Sequence, residues 1–189
     1  QNGFVISLDY YVYEKAFQWL QKFSDQLPTD FRISLNVSPL HFEEPEIFVK
    51  KIRELIRTYH VDTFRLTFEI TESTYVNNTE AVNCVIRGLK QHNIQISMDD
   101  FGSGYSSLNV LKDIPVDELK LDREFLLPAQ DGERRDTIVR NIIHLAQDLG
   151  IGTMTLTDIV EEIRKPARDP RESMPPVVFR QDVLSFEDL

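Results

Sequence analysis

Four short runs of apolar and β-branched residues alternate with four longer stretches of helical periodicity, and this alternation constrains the fold more than any other feature. The runs predict strands at residues 32–35, 64–68, 94–98 and 117–119. The longer stretches predict helices at residues 46–59, 79–92, 106–112 and 136–149. A βαβα order makes the strands parallel, because each helix returns the chain to the end of the sheet where it started. The sequence therefore predicts an α/β fold with about four parallel strands.

A further helix is predicted before the first strand, over residues 9–23. Its spacing of apolar residues is that of an amphipathic helix that packs one side against a core. The predicted apolar stripe consists of Tyr10, Val12, Ala16, Trp19, Leu20 and Phe23.

Polar and charged residues follow the predicted strands at their carboxyl ends. These residues are, in chain order, Asn36, Glu69, Glu72, Asp99, Asp100 and Lys120. The carboxyl ends of parallel strands meet at one edge of a sheet, and (β/α) barrels build their active sites at that edge. The pattern therefore predicts one site to which several strands contribute.

Asp99 and Asp100 are adjacent carboxylates at the end of an apolar run and precede a glycine-rich turn. Two neighbouring carboxylates repel each other, and a divalent cation removes that repulsion. An acidic turn that caps a helix is an equally simple interpretation of the pair, because Asp and Ser favour such positions. The neighbouring strand ends favour the metal site.

Four motifs carry a resemblance to a known family. They are LNVS at residues 35–38, FEITES at 68–73, DDFGSGYSSL at 99–108 and LKLD at 119–122. In order and spacing they resemble the EAL domain, the bacterial phosphodiesterase that linearises cyclic di-GMP, over residues 1–151. The resemblance implies a TIM-like (β/α) barrel of the EAL type, present here in part, and cyclic di-GMP as the ligand.

The resemblance also implies a two-metal hydrolase that uses Mg²⁺ or Mn²⁺. The positions of the family's metal ligands are occupied by Asn36, Glu69, Asp99 and Asp100. Lys120 takes the position of the residue that orients or deprotonates the attacking water, with Asp122 in support, and Glu72 that of the residue that steadies the glycine-rich loop. Oxygen ligands of this kind suit hard cations. Taken singly, an asparagine also suits a turn and a lysine a solvated surface, so the inference depends on the joint pattern.

Two departures from the family pattern suggest an impaired enzyme. The Glu-Ala-Leu strand of the family, with a metal-ligand glutamate, lies upstream of the region that matches Gln1 and is expected to be missing. After Ile151 the family continues into a strand ending in Ala-Glu-Gly-Val-Glu, whereas Leu156 occupies the place of its first glutamate. The later barrel strands are also expected to be missing.

Residues 152–189 are predicted to be a divergent tail or linker. They contain Pro166, Pro170, Pro175 and Pro176, out of nine prolines in the chain, which favours irregular structure after one capped helix at 157–163. The tail resembles the segment that precedes the S1 RNA-binding module of Tex-type transcription accessory proteins. A junction near Ile151 would then mark a chimera, a frameshift or a misjoined gene.

Composition excludes several functions. The formal charge of −10 argues against DNA or RNA binding. Cys84 is the single cysteine, so no disulfide forms within the chain, which favours the cytoplasm. No run approaches the roughly 20 apolar residues of a membrane span, and we expect no signal peptide. Because Gln1 is not an initiator methionine, we expect a longer parent protein, in which a sensor or GGDEF domain could precede this one and which could be membrane-anchored.

Three functions remain open at this point. The first is a cyclic di-GMP phosphodiesterase that is impaired because barrel strands are missing. The second is a non-catalytic module that binds cyclic di-GMP or another protein, and the third is an inactive chimeric fragment. A partial barrel is also expected to expose two sheet edges and an apolar interior, which favours homo-oligomers.

Overall fold

The computed structural model describes residues 2–102, 107–122 and 132–154. Its strands are β1 (Ile33–Asn36), β2 (Leu66–Thr71), β3 (Gln95–Phe101), β4 (Glu118–Leu121) and β5 (Gly152–Met154). Its helices are α1 (Asn2–Phe23), α2 (Pro45–Tyr59), α3 (Glu72–Asn77), α4 (Thr79–Lys90), α5 (Ser107–Asp113) and α6 (Gly132–Asp148). The strands form one parallel sheet in the order β1-β2-β3-β4-β5. The predicted α/β fold is confirmed, and within the described ranges β1 and β5 end the sheet without closing it.

One strand and one α-helix of the structure are absent from the sequence prediction. Strand β5 lies in the segment assigned to the tail, where the Gly152 amide donates to the Asp117 carbonyl at 2.9 Å. Helix α3 follows β2 directly, and the Thr71 hydroxyl caps it by accepting a hydrogen bond from the Thr74 amide at 3.4 Å. Both elements are too short for periodicity to reveal them. The predicted helix at 157–163 and the Pro-rich segment lie outside the described residues.

Alternate residues of the strands divide the sheet into an apolar face and a polar face. The apolar face is buried and includes Ile33, Leu35, Leu66, Phe68, Ile70, Ile96, Met98 and Leu119. The opposite face includes Ser34, Asn36, Thr67, Glu69, Ser97, Glu118 and Lys120. The expectation of an apolar barrel interior is therefore wrong for this sheet. Alternate residues of strands β1 to β4 face that side, and these residues are polar.

The helices cover the apolar face. Right-handed crossovers that always advance to the next strand keep their helices on one side of the sheet. The rings of Tyr13 on α1 and Phe48 on α2 contact Phe68 of β2 edge-on, with centroids 5.6 and 6.1 Å apart. None of the helices in the described ranges combines the length and apolar character that crossing a membrane requires.

Helix α1 is rotated relative to the sequence prediction. Its buried residues are Asp9, Tyr13, Phe17 and Leu20, whereas the predicted Val12 and Ala16 are half-buried. Asp9 lies on the buried side because its carboxylate pairs with Nε2 of His41 at 2.9 Å. In sequence, the partner of Asp9 is not visible, so a charged residue at this position predicts a solvent-facing side. The predicted apolar stripe therefore lies to one side of the buried one.

Candidate functional site

The strand register brings Asn36 and Glu69 side by side. Asn36, the last residue of β1, pairs with Glu69 of β2, and the Val37 amide donates to the Glu69 carbonyl at 3.0 Å. In-register residues of parallel strands project from the same face of the sheet. Both side chains therefore lie at the carboxyl edge of the polar face, where Asn36 is half-buried and Glu69 is buried.

A β-bulge in β3 positions the two aspartates. Met98 pairs with Leu119 of β4 but Phe101 pairs with Leu121, so β3 contains one extra residue between these pairs. Asp100 adopts the left-handed region, with φ of 55°, which aspartate tolerates better than most residues. Strict alternation would direct one aspartate into the apolar layer. Because of the bulge, Met98 and Phe101 on either side of the aspartates are both buried. Asp99 is half-buried and Asp100 is exposed, so neither aspartate enters the apolar layer.

Lys120 reaches the same site from β4. Its ammonium group forms an ion pair with Oε1 of Glu69, and both side chains are buried. Glu118 lies on the same face of β4 and is the register partner of Ser97 on β3. The Ser97 hydroxyl is buried, and it forms no hydrogen bond with Glu118 or with any other described residue. Burial raises the pKa of Glu118, an effect that the nearby Lys120 ammonium partly offsets. The site thus has one buried lysine among several carboxylates.

Glu72 follows β2 and Asp122 follows β4 at the same edge of the sheet. Oε2 of Glu72, the first residue of α3, accepts a hydrogen bond at 2.8 Å from the amide of Gly102, which Phe101 separates from the two aspartates. Asp122 follows β4, and its amide donates to the Phe101 carbonyl at 3.0 Å. Residues 103–106 of the glycine-rich motif lie outside the described part of the chain.

The site also involves a residue that sequence reasoning missed. The Tyr13 hydroxyl donates to the Asn36 carbonyl at 2.6 Å. An aromatic residue in an amphipathic helix gives no sign in sequence that its hydroxyl reaches a strand end, so no local signal could have identified it.

The donor set fits a hard divalent cation in its chemistry. Amide and carboxylate oxygens converge on one strand edge from Asn36, Glu69 and the aspartates of the bulge, and such oxygens are the preferred ligands of Mg²⁺ and Mn²⁺. Among the described residues, no three Asp, Glu, His or Cys side chains already stand close enough together to hold an ion. Glu69 already pairs with Lys120, so an ion at this edge would have to share its carboxylate with the lysine or replace that pair.

Comparison with known proteins identifies the family. The EAL-domain family model matches residues 1–161, past the boundary expected at 151. The chain is 30% identical over 151 residues to MucR of Pseudomonas aeruginosa, a bifunctional diguanylate cyclase/cyclic di-GMP phosphodiesterase. It is 31% identical over 150 residues to the cyclic di-GMP phosphodiesterase PdeL of Escherichia coli. These matches cover 80% and 79% of this chain but 22% and 41% of the relatives, so it spans less than half of either protein.

Solved structures agree with this assignment. The MucR phosphodiesterase in complex with c-di-GMP superposes with a TM-score of 0.72 at 29% identity, over 81% of this chain and 62% of that one. The EAL domain of Mycobacterium smegmatis DcpA superposes with a TM-score of 0.68 at 29% identity, over 77% of this chain and 65% of that one. This chain belongs to the EAL-domain family.

Proposed function

We propose that this chain contributes the metal-binding edge of a cyclic di-GMP phosphodiesterase, which hydrolyses cyclic di-GMP to linear pGpG. The observation that carries the proposal is the convergence of Asn36, Glu69, the two aspartates of the bulge and Lys120 on one edge of the parallel sheet. The names of MucR and PdeL support the reaction, and the c-di-GMP complex of MucR supports the ligand.

In this proposal Asn36, Glu69, Asp99 and Asp100 would hold two Mg²⁺ or Mn²⁺ ions. When bound, such ions supply Lewis acidity and positive charge for an anionic phosphodiester. The protein's part is to present oxygen ligands from neighbouring strands in fixed register. The bulge in β3 contributes two of these ligands from consecutive residues, which a regular strand would direct to opposite faces.

Lys120 and Asp122 are the proposed catalytic residues. The Lys120 side chain is buried at the edge that carries the ligands. There its ammonium form would orient a water molecule, and only its neutral amine form would accept a proton from that water. Asp122 follows Lys120 closely and supports it. Glu72 is proposed to hold the loop after the aspartates through its hydrogen bond with Gly102.

A second candidate function is binding without turnover. The described sheet is not closed, and the chain spans 62% of the MucR phosphodiesterase chain. Part of that protein's chain therefore lies outside the region that superposes with this one. A module that retains its ligand residues but lacks the remainder of the barrel would bind the nucleotide weakly and hydrolyse it slowly.

One experiment separates the two functions. The full chain is incubated with cyclic di-GMP and Mn²⁺ and assayed for pGpG, and nucleotide binding is measured in parallel with Ca²⁺, which takes the same oxygen ligands. We expect Asp99→Asn to lower both activity and binding by about 100-fold or more. Asp117→Asn is the matched control, because Asp117 lies at the opposite end of β4 and pairs with Lys90 at 2.7 Å.

The outcomes are distinct. Asp99-dependent hydrolysis supports the phosphodiesterase, and Asp99-dependent binding without pGpG supports the binding module. An absence of both in the wild-type chain would refute the proposed site and favour the inactive fragment.

Four further predictions remain proposals. The Tex-like tail is predicted over residues 152–189, of which 155–189 lie outside the described part of the chain. Cytoplasmic location and homo-oligomers concern this chain, and an upstream sensor or GGDEF domain concerns the parent protein. MucR, named as both a diguanylate cyclase and a phosphodiesterase, supports the last of these.

A further inference from the structure

Tyr13 connects helix α1 to the strand end that carries Asn36. Its hydroxyl donates to the Asn36 carbonyl at 2.6 Å, and the residue is 0% exposed. Strand β1 is the edge of the sheet, and the next residue, Val37, directs its amide to Glu69 of β2. The Asn36 carbonyl therefore faces the open edge, where no strand in the described part of the chain supplies a partner. Tyr13 supplies that partner in place of a strand.

The same side chain contacts the neighbouring strand end. The Tyr13 ring packs edge-on against Phe68, with centroids 5.6 Å apart, and Phe68 directly precedes Glu69. A single buried side chain thus touches the backbone of one proposed ligand and the residue adjacent to another. A shift of the Tyr13 side chain would therefore change the distance between Asn36 and Glu69.

The orientation of α1 is fixed by a buried pair one turn before Tyr13. Asp9 pairs at 2.9 Å with His41, which lies in the helical turn that follows β1 (Pro39–Phe42). Residues four apart lie on the same side of a helix, so this pair directs Tyr13 toward the strand end.

We infer that Tyr13 is a positioning residue for divalent-ion binding, whose hydroxyl holds the end of β1 so that the Asn36 side chain stands beside Glu69. The inference rests on the proposed function, in which Asn36 is a ligand. It assigns a role to a helix residue that does not itself reach the ion. Groups that orient metal ligands typically change metal affinity by about 10- to 100-fold when removed.

The test is a titration of the full chain with Mn²⁺ alone, in which free Mn²⁺ is followed by electron paramagnetic resonance. Tyr13→Phe removes only the hydroxyl and should weaken Mn²⁺ binding about tenfold or more. It should also speed amide exchange at Val37, which bonds β1 to β2. Tyr59→Phe is the matched control, because the Tyr59 hydroxyl also binds a residue of α1, Glu14, but lies away from the site.

The outcomes separate this inference from the proposed function. Wild-type binding that depends on Asp99 but is unchanged in Tyr13→Phe would overturn the role of Tyr13 alone. Wild-type binding that Asp99→Asn leaves unchanged would overturn the metal site and, with it, this inference. Equal losses in Tyr13→Phe and Tyr59→Phe would show a general loosening of α1 and also overturn it.

A second measurement serves if Tyr13→Phe does not fold. In the wild-type chain, titration with Mg²⁺ should shift the carbonyl ¹³C resonance of Asn36 and the hydroxyl proton of Tyr13. Neither should shift in Asp99→Asn. Mg²⁺ binding that leaves both resonances unmoved in the wild type would refute the inference.

Discussion

The ammonium group of Lys120 on β4 forms an ion pair with the carboxylate of Glu69 on β2, across the intervening strand β3. Their side chains are 8% and 6% exposed. Ser97, the β3 residue that pairs with Glu69, has a short side chain and leaves room for the contact. Each charge is therefore neutralised by the other in surroundings from which water is largely excluded.

Breaking this pair on one side should destabilise the fold. Lys120→Met leaves the Glu69 carboxylate buried without its partner, and we expect the free energy of unfolding to fall by about 3–5 kcal/mol. The double variant Glu69→Gln/Lys120→Met should recover most of that loss, because no charge then remains buried. Urea denaturation of the wild-type chain, Glu69→Gln, Lys120→Met and the double variant measures the coupling free energy between the two residues. If the losses of stability in the two single variants add up to the loss in the double variant, the two charges are not coupled and the prediction is wrong.

Glu72 should stabilise the loop after the bulge. Glu72→Ala removes the acceptor of the Gly102 amide, a charge-assisted hydrogen bond whose loss costs about 1.5–3 kcal/mol. We expect faster amide exchange at Gly102 and a lower melting temperature. Glu72→Gln keeps an acceptor oxygen and should show a smaller change. If Gly102 exchange is unaffected in Glu72→Ala, the hydrogen bond does not hold the loop.

Gly88 allows helices α2 and α4 to approach each other closely. A Cβ at position 88 would lie 2.7 Å from Cγ1 of Val49 and 2.8 Å from its Cγ2. We expect Gly88→Ala to lower the free energy of unfolding by about 1–3 kcal/mol through overpacking. Shortening the neighbour in Gly88→Ala/Val49→Ala should restore part of it, as thermal melts can show. A double variant less stable than Gly88→Ala would rule out this clash as the cause.

Glu118 should make stability depend on pH. Its pKa in the fold is raised above the ordinary 4.5, chiefly by burial, so the native state binds this proton more tightly than the unfolded chain. Ionisation therefore destabilises the fold as pH rises from 4.5 through the raised pKa, and the loss persists above it. Glu118→Gln should raise the melting temperature at pH 7 and leave it unchanged at acid pH. Glu80→Gln, at an exposed position of α4, is the control. If Glu118→Gln raises the melting temperature equally at all pH values, the gain does not come from the raised pKa of Glu118.

Much of the fold could be predicted because its signals are local. Alternating strand and helix periods located the first four strands and their order, and the residues at strand ends marked the site edge. The predictions were least accurate where an element was short or its partner was distant. Strand β5 pairs over three residues only, and the buried side of α1 depends on an Asp9–His41 contact across 32 positions of sequence.

By itself, the sequence determined the α/β class, the parallel order of the strands and which residues stand at their carboxyl ends, since these follow from neighbouring residues. Only the tertiary structure decided how those residues meet. The bulge that holds both aspartates, the Glu69–Lys120 pair between residues 51 positions apart and the Tyr13 contact with Asn36 all depend on strand register and helix rotation. Register and rotation result from the packing of the whole core, and no local pattern encodes them.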